Sequence, residues 1–327
     1  MLYPVLAVVF GVAALVWSAD RFVHGAAAMA KNFGVSVFII GLTVVAFGTS
    51  APEIVISTSA SLEGSPELAI GNAIGSNIAN VGLILGITAL FGALPIQRQT
   101  IREDLPILLV ITLVAGGLLY DMKLDQIDGV ILLVMLLAYL YFLIRHKKTT
   151  EGTEEEDVFL AEIEEEIEDE HLTNAQASFK FITGLIVLLG SAKLMVWGAQ
   201  EIALAMGISE AIIGLTLVAL GTSLPELAAS ISSVTKGHHD LAIGNIIGSN
   251  VFNLLTVLPM PALLAPSVLE LEIFSRDYAL MLTLTLLLLI LPFLGKRNHI
   301  TAVKGIFLLS LYVAYYAVLY QSQVTTA

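Results

Sequence analysis

Residues 41–54 read GLTVVAFGTSAPEI and residues 214–227 read GLTLVALGTSLPEL, so one polar motif occurs twice in an apolar chain. A second motif follows each copy: GNAIGSNIAN begins at Gly71, and GNIIGSNVFN begins at Gly244. Both motifs recur at one offset of 173 residues, and the 40 residues from Gly41 match their counterparts at 23 positions without a gap. The chain therefore contains a duplicated half.

The composition is that of a membrane protein. Of the 327 residues, 57% are hydrophobic and 13% are charged, whereas soluble domains average roughly 45–50% apolar and about 25% charged residues. This composition excludes a soluble enzyme. The absence of cysteine excludes a disulfide scaffold and thiolate metal sites, and the net charge of -13 argues against a nucleic-acid partner.

Most of the net charge belongs to one segment. Twelve of the 28 acidic residues lie between Glu151 and Glu170, which leaves 16 acids against 15 bases elsewhere. Runs of like charge usually stay solvated, so we expect an acidic linker over residues 146–178. The linker separates a first half, residues 1–145, from a second half, residues 179–327.

Hydropathy and turn signals predict ten membrane-spanning helices, five in each half. An odd number of spans makes the second copy enter the membrane from the opposite face. The sequence therefore predicts an all-α polytopic membrane protein with two inverted five-helix repeats, an architecture typical of transporters. The predicted spans are residues 3–31, 34–62, 67–91, 103–120, 126–145, 179–206, 207–235, 240–265, 275–293 and 302–320.

The distribution of Lys and Arg predicts the orientation. The connections after spans 1, 3, 5, 7 and 9 hold eleven of them, and the opposite side holds two, Lys123 and Arg276. Positive connections stay in the cytoplasm, so we expect both termini outside and the acidic linker inside. Short connections favour a prokaryotic inner membrane.

Glu53 and Glu226 are the strongest candidates for function. Each lies in an apolar span, where an ionisable side chain costs about 2.5–3.5 kcal/mol and needs a partner or an aqueous cavity. They occupy the same repeat position, so inversion is expected to bring them together near the bilayer centre. Two carboxylates there repel each other, and a divalent cation would balance them.

Oxygen-bearing side chains accompany both acids at helical spacing. Thr49, Glu53 and Ser57 share one helix face, as do their repeat mates. Hydroxyl, amide and carboxylate oxygens without His or Cys suit hard cations such as Ca²⁺ and Na⁺. The alternative is that these side chains only hydrogen-bond between helices. The full set of candidates is Thr49, Glu53, Ser57, Asn72, Ser76, Asn80, Thr222, Glu226, Ser230, Asn245, Ser249 and Asn253.

Pro52 and Pro225 predict discontinuous helices. A proline lacks the N–H that would bond to the carbonyl four residues before it, which frees the carbonyls of Gly48 and Gly221. Free carbonyls at membrane depth are tolerated where they line a cavity and coordinate ions.

GTSAPE with GSNIAN, and GTSLPE with GSNVFN, resemble the two alpha-repeats of the cation/calcium antiporter superfamily, in particular its sodium/calcium exchanger branch. The resemblance implies exchange of extruded Ca²⁺ for entering Na⁺, both bound as substrates, with no cofactor. It places Ca²⁺ between Glu53 and Glu226 with help from Thr49 and Thr222, and it makes Asn80 and Asn253 line the central site. It gives Na⁺ ligation to the side chains of Ser50, Ser76, Ser223 and Ser249 and to carbonyls near Ala46 and Ala219.

One position departs from the pattern. Many relatives, including the potassium-dependent branch, carry Asp three positions after GSN in the second repeat, where this chain has Asn253. Only two carboxylates remain, which argues against K⁺ cotransport. Two alternatives stay open from the sequence: a H⁺/Ca²⁺ antiporter on the same scaffold, and a membrane scaffold or receptor without transport.

Overall fold

The computed structural model describes residues 2–146, 172–206, 219–295 and 298–326, and it contains helices at all ten predicted spans. The helices are α1 Leu2–Phe33, α2 Val37–Thr49, α3 Ala51–Leu62, α4 Pro66–Phe91, α5 Arg98–Arg102, α6 Asp104–Leu119, α7 Gln126–His146, α8 Asn174–Ala205, α9 Ala219–Thr222, α10 Leu224–Thr235, α11 His239–Leu264, α12 Ile273–Phe293 and α13 Ala302–Thr326.

Hydropathy located the spans to within a few residues. Within the described ranges, seven helices are long and apolar enough to cross a membrane, and α2 with α3 adds an eighth, bent span. Helix α6 has only 16 residues, and the seventh predicted span is described from Ala219 onward. The start of that span, residues 207–218, and residues 147–171 of the acidic linker lie outside the described residues.

The two halves repeat their local structure at the offset seen in the sequence. Helix α3 corresponds residue for residue to α10. A wider π-helical turn interrupts α4 at Asn80–Ile84, and an equivalent turn interrupts α11 at Asn253–Val257. The fold is an all-α membrane protein with inverted repeats, as predicted.

Helices α1 and α8, which are repeat mates, pack along each other through small residues. A methyl group added to Gly11 would lie 3.0 Å from Met195 Cβ, and one added to Gly184 would lie 2.6 Å from the Phe22 backbone nitrogen. The two contacts are equivalent in the two repeats, because Gly184 is the repeat mate of Gly11 and Met195 is the repeat mate of Phe22. Glycine thus lets the two backbones approach closely on both sides of the symmetry axis.

Helix α11 occupies the centre of the molecule, where nearly all residues of its first segment are buried. It crosses α2 at a GxxxG pair: a methyl group on Gly244 would lie 2.5 Å from the Phe38 carbonyl oxygen, and one on Gly248 would collide with the Leu42 carbonyl oxygen. The absence of side chains at Gly244 and Gly248 lets the two backbones approach closely. This contact brings α11 against the helix that precedes Glu53.

Two short antiparallel strand pairs tie the halves together. Strand β1, Leu94–Pro95, pairs with β4, His299–Ile300, and β2, Lys123–Leu124, pairs with β3, Ser267–Val268. Each strand pair joins a connection of one half to a connection of the other. The described core is therefore braced at both of its ends.

Candidate ion-binding site

Both candidate acids begin a helix at a break. Helices α2 and α3 meet at Ser50 with a bend of 42°. Pro52 lies in the first turn of α3, where its missing N–H costs nothing, and Pro225 has the same place in α10. The predicted discontinuous helices are confirmed. The break places each carboxylate at a helix N-terminus, whose partial positive charge favours an anion.

The structure brings Glu53 and Glu226 together in the interior. Their exposed fractions are 1% and 2%. Ser50 Oγ donates a hydrogen bond to Glu226 Oε1 at 3.2 Å. The polar motif of the first repeat therefore reaches the acid of the second.

Part of the predicted polar stripes serves helix packing. Asn72 Nδ2 donates to Ser57 Oγ at 3.1 Å, and its repeat mate Asn245 Nδ2 donates to Ser230 Oγ at 3.3 Å. Asn245 Oδ1 also accepts a bond from Thr49 Oγ1 at 3.2 Å. These amides join neighbouring helices, as expected from the packing interpretation, and leave fewer side chains free for an ion.

Four asparagines meet between α4 and α11, and the sequence stripes include only two of them. Asn80 Nδ2 donates to Asn250 Oδ1 at 3.2 Å, and Asn253 Nδ2 donates to Asn77 Oδ1 at 3.0 Å. Helical spacing predicts Asn80 and Asn253 as site residues and turns Asn77 and Asn250 onto another helix face. Their place in the duplicated GSN triplet is the signal that could have identified them.

Several buried oxygen atoms receive no hydrogen bond from the part of the chain that the structure describes. A buried acceptor without a partner is costly, and an unseen ligand is one common reason for it. All of the following belong to predicted site residues: Glu53 Oε2, Glu226 Oε2, Ser223 Oγ, Ser249 Oγ and Asn253 Oδ1.

The remaining predicted residues lie on the same helices. Ser76 is buried in α4. The Ala46 carbonyl lies just before the break and accepts bonds from the Ser50 N–H and the Thr49 hydroxyl. Ala219 and Thr222 form the equivalent turn α9, and Thr222 has a polar partner of its own.

The donor set suits a hard cation. It offers carboxylate, hydroxyl, amide and backbone oxygens. Sites for zinc or copper use imidazole or thiolate ligands, whereas oxygen ligands alone are typical of Ca²⁺ and Na⁺.

Comparisons with known proteins give the family. A sequence model described as sodium/calcium exchanger protein matches residues 3–145 and 177–321. The chain belongs to the sodium/calcium exchanger family. Members of this family are cation antiporters in the membrane, so the protein is a transporter and not an enzyme.

Relatives of this exchanger align over nearly their whole length. A putative antiporter, CaxA, from Alkalimonas amylolytica is 41% identical over 98% of this chain and 100% of its own. The sodium/calcium exchanger MaX1 from Methanosarcina acetivorans is 32% identical over 96% and 98%.

A solved structure of the sodium-calcium exchanger NCX_Mj, soaked without Na⁺ and Ca²⁺, matches with a TM-score of 0.82. Its identity to this exchanger is 32%, over 97% of this chain and 99% of that one. The all-helical fold with inverted repeats is therefore shared by the two proteins.

Proposed function

We propose that this protein exchanges Ca²⁺ for Na⁺ across the membrane by alternating access, with Na⁺ entry driving Ca²⁺ extrusion. One observation carries the proposal: Glu53 and Glu226 share one buried site with oxygen atoms that lack a hydrogen-bond donor. Inverted repeats around a midplane site are the architecture of transporters that open to one side at a time.

Charge balance explains why the ions would exchange. Two neighbouring carboxylates are neutralised by one Ca²⁺ or by at least two Na⁺ in overlapping sites. If Ca²⁺ and two Na⁺ were bound together, the buried site would carry excess positive charge, which is unfavourable in a low dielectric. Occupation by one kind of ion therefore excludes the other, and this exclusion couples the two fluxes.

In the proposed site Glu53 and Glu226 bind Ca²⁺ from opposite sides, and Thr49 and Thr222 contribute hydroxyl oxygens. The Thr49 hydroxyl donates to Asn245 Oδ1 in the described structure, so we expect it to rotate toward the ion when Ca²⁺ binds. The proposed Na⁺ ligands are the side chains of Ser50, Ser76, Ser223 and Ser249 and the carbonyls of Ala46 and Ala219, with Asn80 and Asn253 beside them.

A H⁺/Ca²⁺ antiporter is the second candidate. The same two carboxylates would then carry protons, and the relative CaxA is named only as an antiporter. The Na⁺ assignment has two supports: the serine and threonine oxygens around the acids could hold Na⁺, and the relative MaX1 is named a sodium/calcium exchanger.

Uptake of radioactive Ca²⁺ into proteoliposomes distinguishes the two candidates. Vesicles loaded with Na⁺ and diluted into Na⁺-free buffer at one pH should take up Ca²⁺, and vesicles with a pH gradient alone should not. The matched control replaces internal Na⁺ with choline. Uptake that follows the pH gradient and ignores Na⁺ would contradict Na⁺ coupling and support the proton alternative.

The proposal includes a location. The relative YrbG of Escherichia coli, 38% identical over 89% of this chain, is named an inner membrane protein. Together with the Lys and Arg distribution, this supports a prokaryotic inner membrane with both termini outside and the acidic linker in the cytoplasm.

A further inference from the structure

The asparagine quartet between α4 and α11 has a two-fold arrangement. Asn80 donates to Asn250, and Asn253 donates to Asn77. The two bonds are equivalent, because Asn253 is the repeat mate of Asn80 and Asn250 is the repeat mate of Asn77. All four residues are at least 97% buried. Each repeat thus contributes one amide that donates and one amide that accepts.

The donating amides lie on turns that pack against the helices of the two acids. Asn253 begins the π-helical turn that packs against α3, the helix of Glu53. Asn80 begins the equivalent turn, which packs against α10, the helix of Glu226.

A side-chain amide presents one acceptor oxygen and one donor nitrogen, and only the oxygen can bind a cation. A half-turn of the amide group would aim its N–H bonds at the ion. A fixed acceptor for the nitrogen prevents that half-turn, and Asn77 Oδ1 and Asn250 Oδ1 are such acceptors. Asn253 Oδ1 has no donor in the described part of the chain, as expected of an oxygen reserved for an ion.

We propose that Asn77 and Asn250 are positioning residues, each holding the amide of Asn253 or Asn80 so that its carbonyl oxygen faces the transported cation. This inference rests on the proposed function and extends it, because it takes Asn80 and Asn253, which line the proposed site, as ligands of the transported cation. Partners of this kind orient metal ligands in many proteins, and their loss typically weakens metal affinity about 10–100-fold.

Asn77 is itself held in place. Its Nδ2 donates to the Asn250 backbone oxygen at 3.2 Å and lies 3.5 Å from the sulfur of Met281 on α12. Neutral amides also suit the role because they orient a ligand without adding charge. An acid at either position would give the site a third carboxylate and change the charge balance between Ca²⁺ and Na⁺.

Equilibrium binding of radioactive Ca²⁺ to the purified full-length protein tests the proposal. Asn77→Ala and Asn250→Ala should each weaken Ca²⁺ binding about 10–100-fold while the protein stays monodisperse. Asn77→Ser, which keeps a shorter acceptor, should lose less. The matched controls are Ser18→Ala and Ser191→Ala, buried repeat mates whose hydroxyls bond only within their own helices. Their Ca²⁺ affinity should match the wild type.

A double-mutant cycle separates positioning from packing. If Asn77 acts through Asn253, Asn77→Ala should not weaken Ca²⁺ binding further in an Asn253→Ala background, whereas it should in an Asn80→Ala background. Unchanged affinity in both single variants, or additive losses in the Asn77 and Asn253 pair, would overturn the proposal. If Asn77→Ala does not fold, Asn250→Ala with Asn80→Ala provides the same cycle.

The binding assay needs no ion gradient, so it is independent of the coupling ion. Wild-type flux that follows a pH gradient would refute the Na⁺ proposal and leave the positioning role intact. Normal Na⁺-driven uptake in the wild type, with unchanged Ca²⁺ affinity in Asn77→Ala and Asn250→Ala, would refute the positioning role alone.

Discussion

At the scale of residues, two buried carboxylates, one from each repeat, dominate the chemistry. Glu53 and Glu226 come from opposite repeats, and the Ser50 hydroxyl of the first repeat donates to the Glu226 carboxylate of the second. Removing a charge from water is costly unless a partner compensates it. The described residues provide hydroxyl partners, and the remaining compensation is assigned to the transported ions.

Glu53→Gln and Glu226→Gln are expected to abolish exchange. Two unit charges 4 Å apart attract by about 4 kcal/mol at an effective dielectric of about 20, so losing one carboxylate should lower Na⁺-driven Ca²⁺ uptake at least about 100-fold. Glutamine keeps the shape of the side chain, and yield and thermal unfolding should stay near the wild type. Glu63→Gln, at the exposed end of α3, is the control. Exchange retained in either site variant would refute the site assignment.

Exchange should also weaken in acid, because protons compete with Ca²⁺ for the two carboxylates. The rate is expected to be highest at alkaline pH and to fall as the acids take up protons. The Ca²⁺ concentration for half-maximal uptake should rise as the pH falls, and saturating Ca²⁺ should restore the rate. A half-maximal concentration that does not change with pH would count against competition at these acids.

His238 provides a control for the pH dependence. This residue lies just outside the span that begins at His239. Burial, with help from Lys236, His24 and His239, lowers the pKa of His238 to about 4. The imidazole therefore stays neutral over the range in which the competition is measured, and His238→Gln should keep the wild-type pH profile.

Residue types and spacing predicted the two acids and the break beside each, but they did not predict the partners of each amide. Asn77 and Asn250 lie off the helical stripe used for the prediction. Their role depends on how two helices cross, and a pattern along one helix contains no information about the helix opposite. Sequence also grouped Ser57 and Ser230 with the ion ligands, whereas Asn72 and Asn245 bond to them.

At the scale of elements, broken and widened helices make room for the site. Proline in the first turn explains the breaks before Glu53 and Glu226. The π-helical turns that begin at Asn80 and Asn253 have no signature in the sequence, because tertiary packing determines them. Turns of this kind occur often at functional sites. Here each places one asparagine of the quartet at its first position.

The crossing of α11 with α2 depends on Gly248. A methyl group there would meet the Leu42 backbone oxygen and the Ala46 side chain. Gly248→Ala is expected to reduce the free energy of unfolding by about 1–3 kcal/mol, because neither helix backbone can move away within the packed core. Thermal unfolding of the purified protein measures the effect.

Gly117→Ala is the matched control for this crossing. Gly117 is an exposed helical glycine with no described atom within 4 Å of an added methyl group. Alanine is the better helix former, so this variant should be at least as stable as the wild type. An unchanged unfolding temperature for Gly248→Ala would mean that the crossing is looser than described.

At the scale of the whole molecule, the inverted orientation of the second repeat follows from the odd number of spans predicted for each half. Five spans in each half turn the second copy over, and the structure repeats helix bounds, close contacts and hydrogen bonds at one offset. Sequence predicted this symmetry because duplication keeps the motifs in register. It did not predict the strand pairs that join the halves, whose segments of two residues are too short to form a pattern.

Orientation in the membrane is testable because the chain contains no cysteine. Lys123→Cys, in an outer connection, should react with an impermeant maleimide on intact cells. Asn32→Cys, after the first span, should react only once the membrane is permeabilised. The opposite pattern would place the termini in the cytoplasm and contradict the predicted orientation.

The most direct test of a shared site is equilibrium binding of Ca²⁺ to the purified protein at increasing Na⁺. Occupation of the same two carboxylates predicts that Na⁺ raises the apparent dissociation constant for Ca²⁺ without lowering the number of Ca²⁺ bound, and that Glu226→Gln removes high-affinity binding. Ca²⁺ affinity that is unchanged by Na⁺, or kept in Glu226→Gln, would contradict a single site used in turn by both ions.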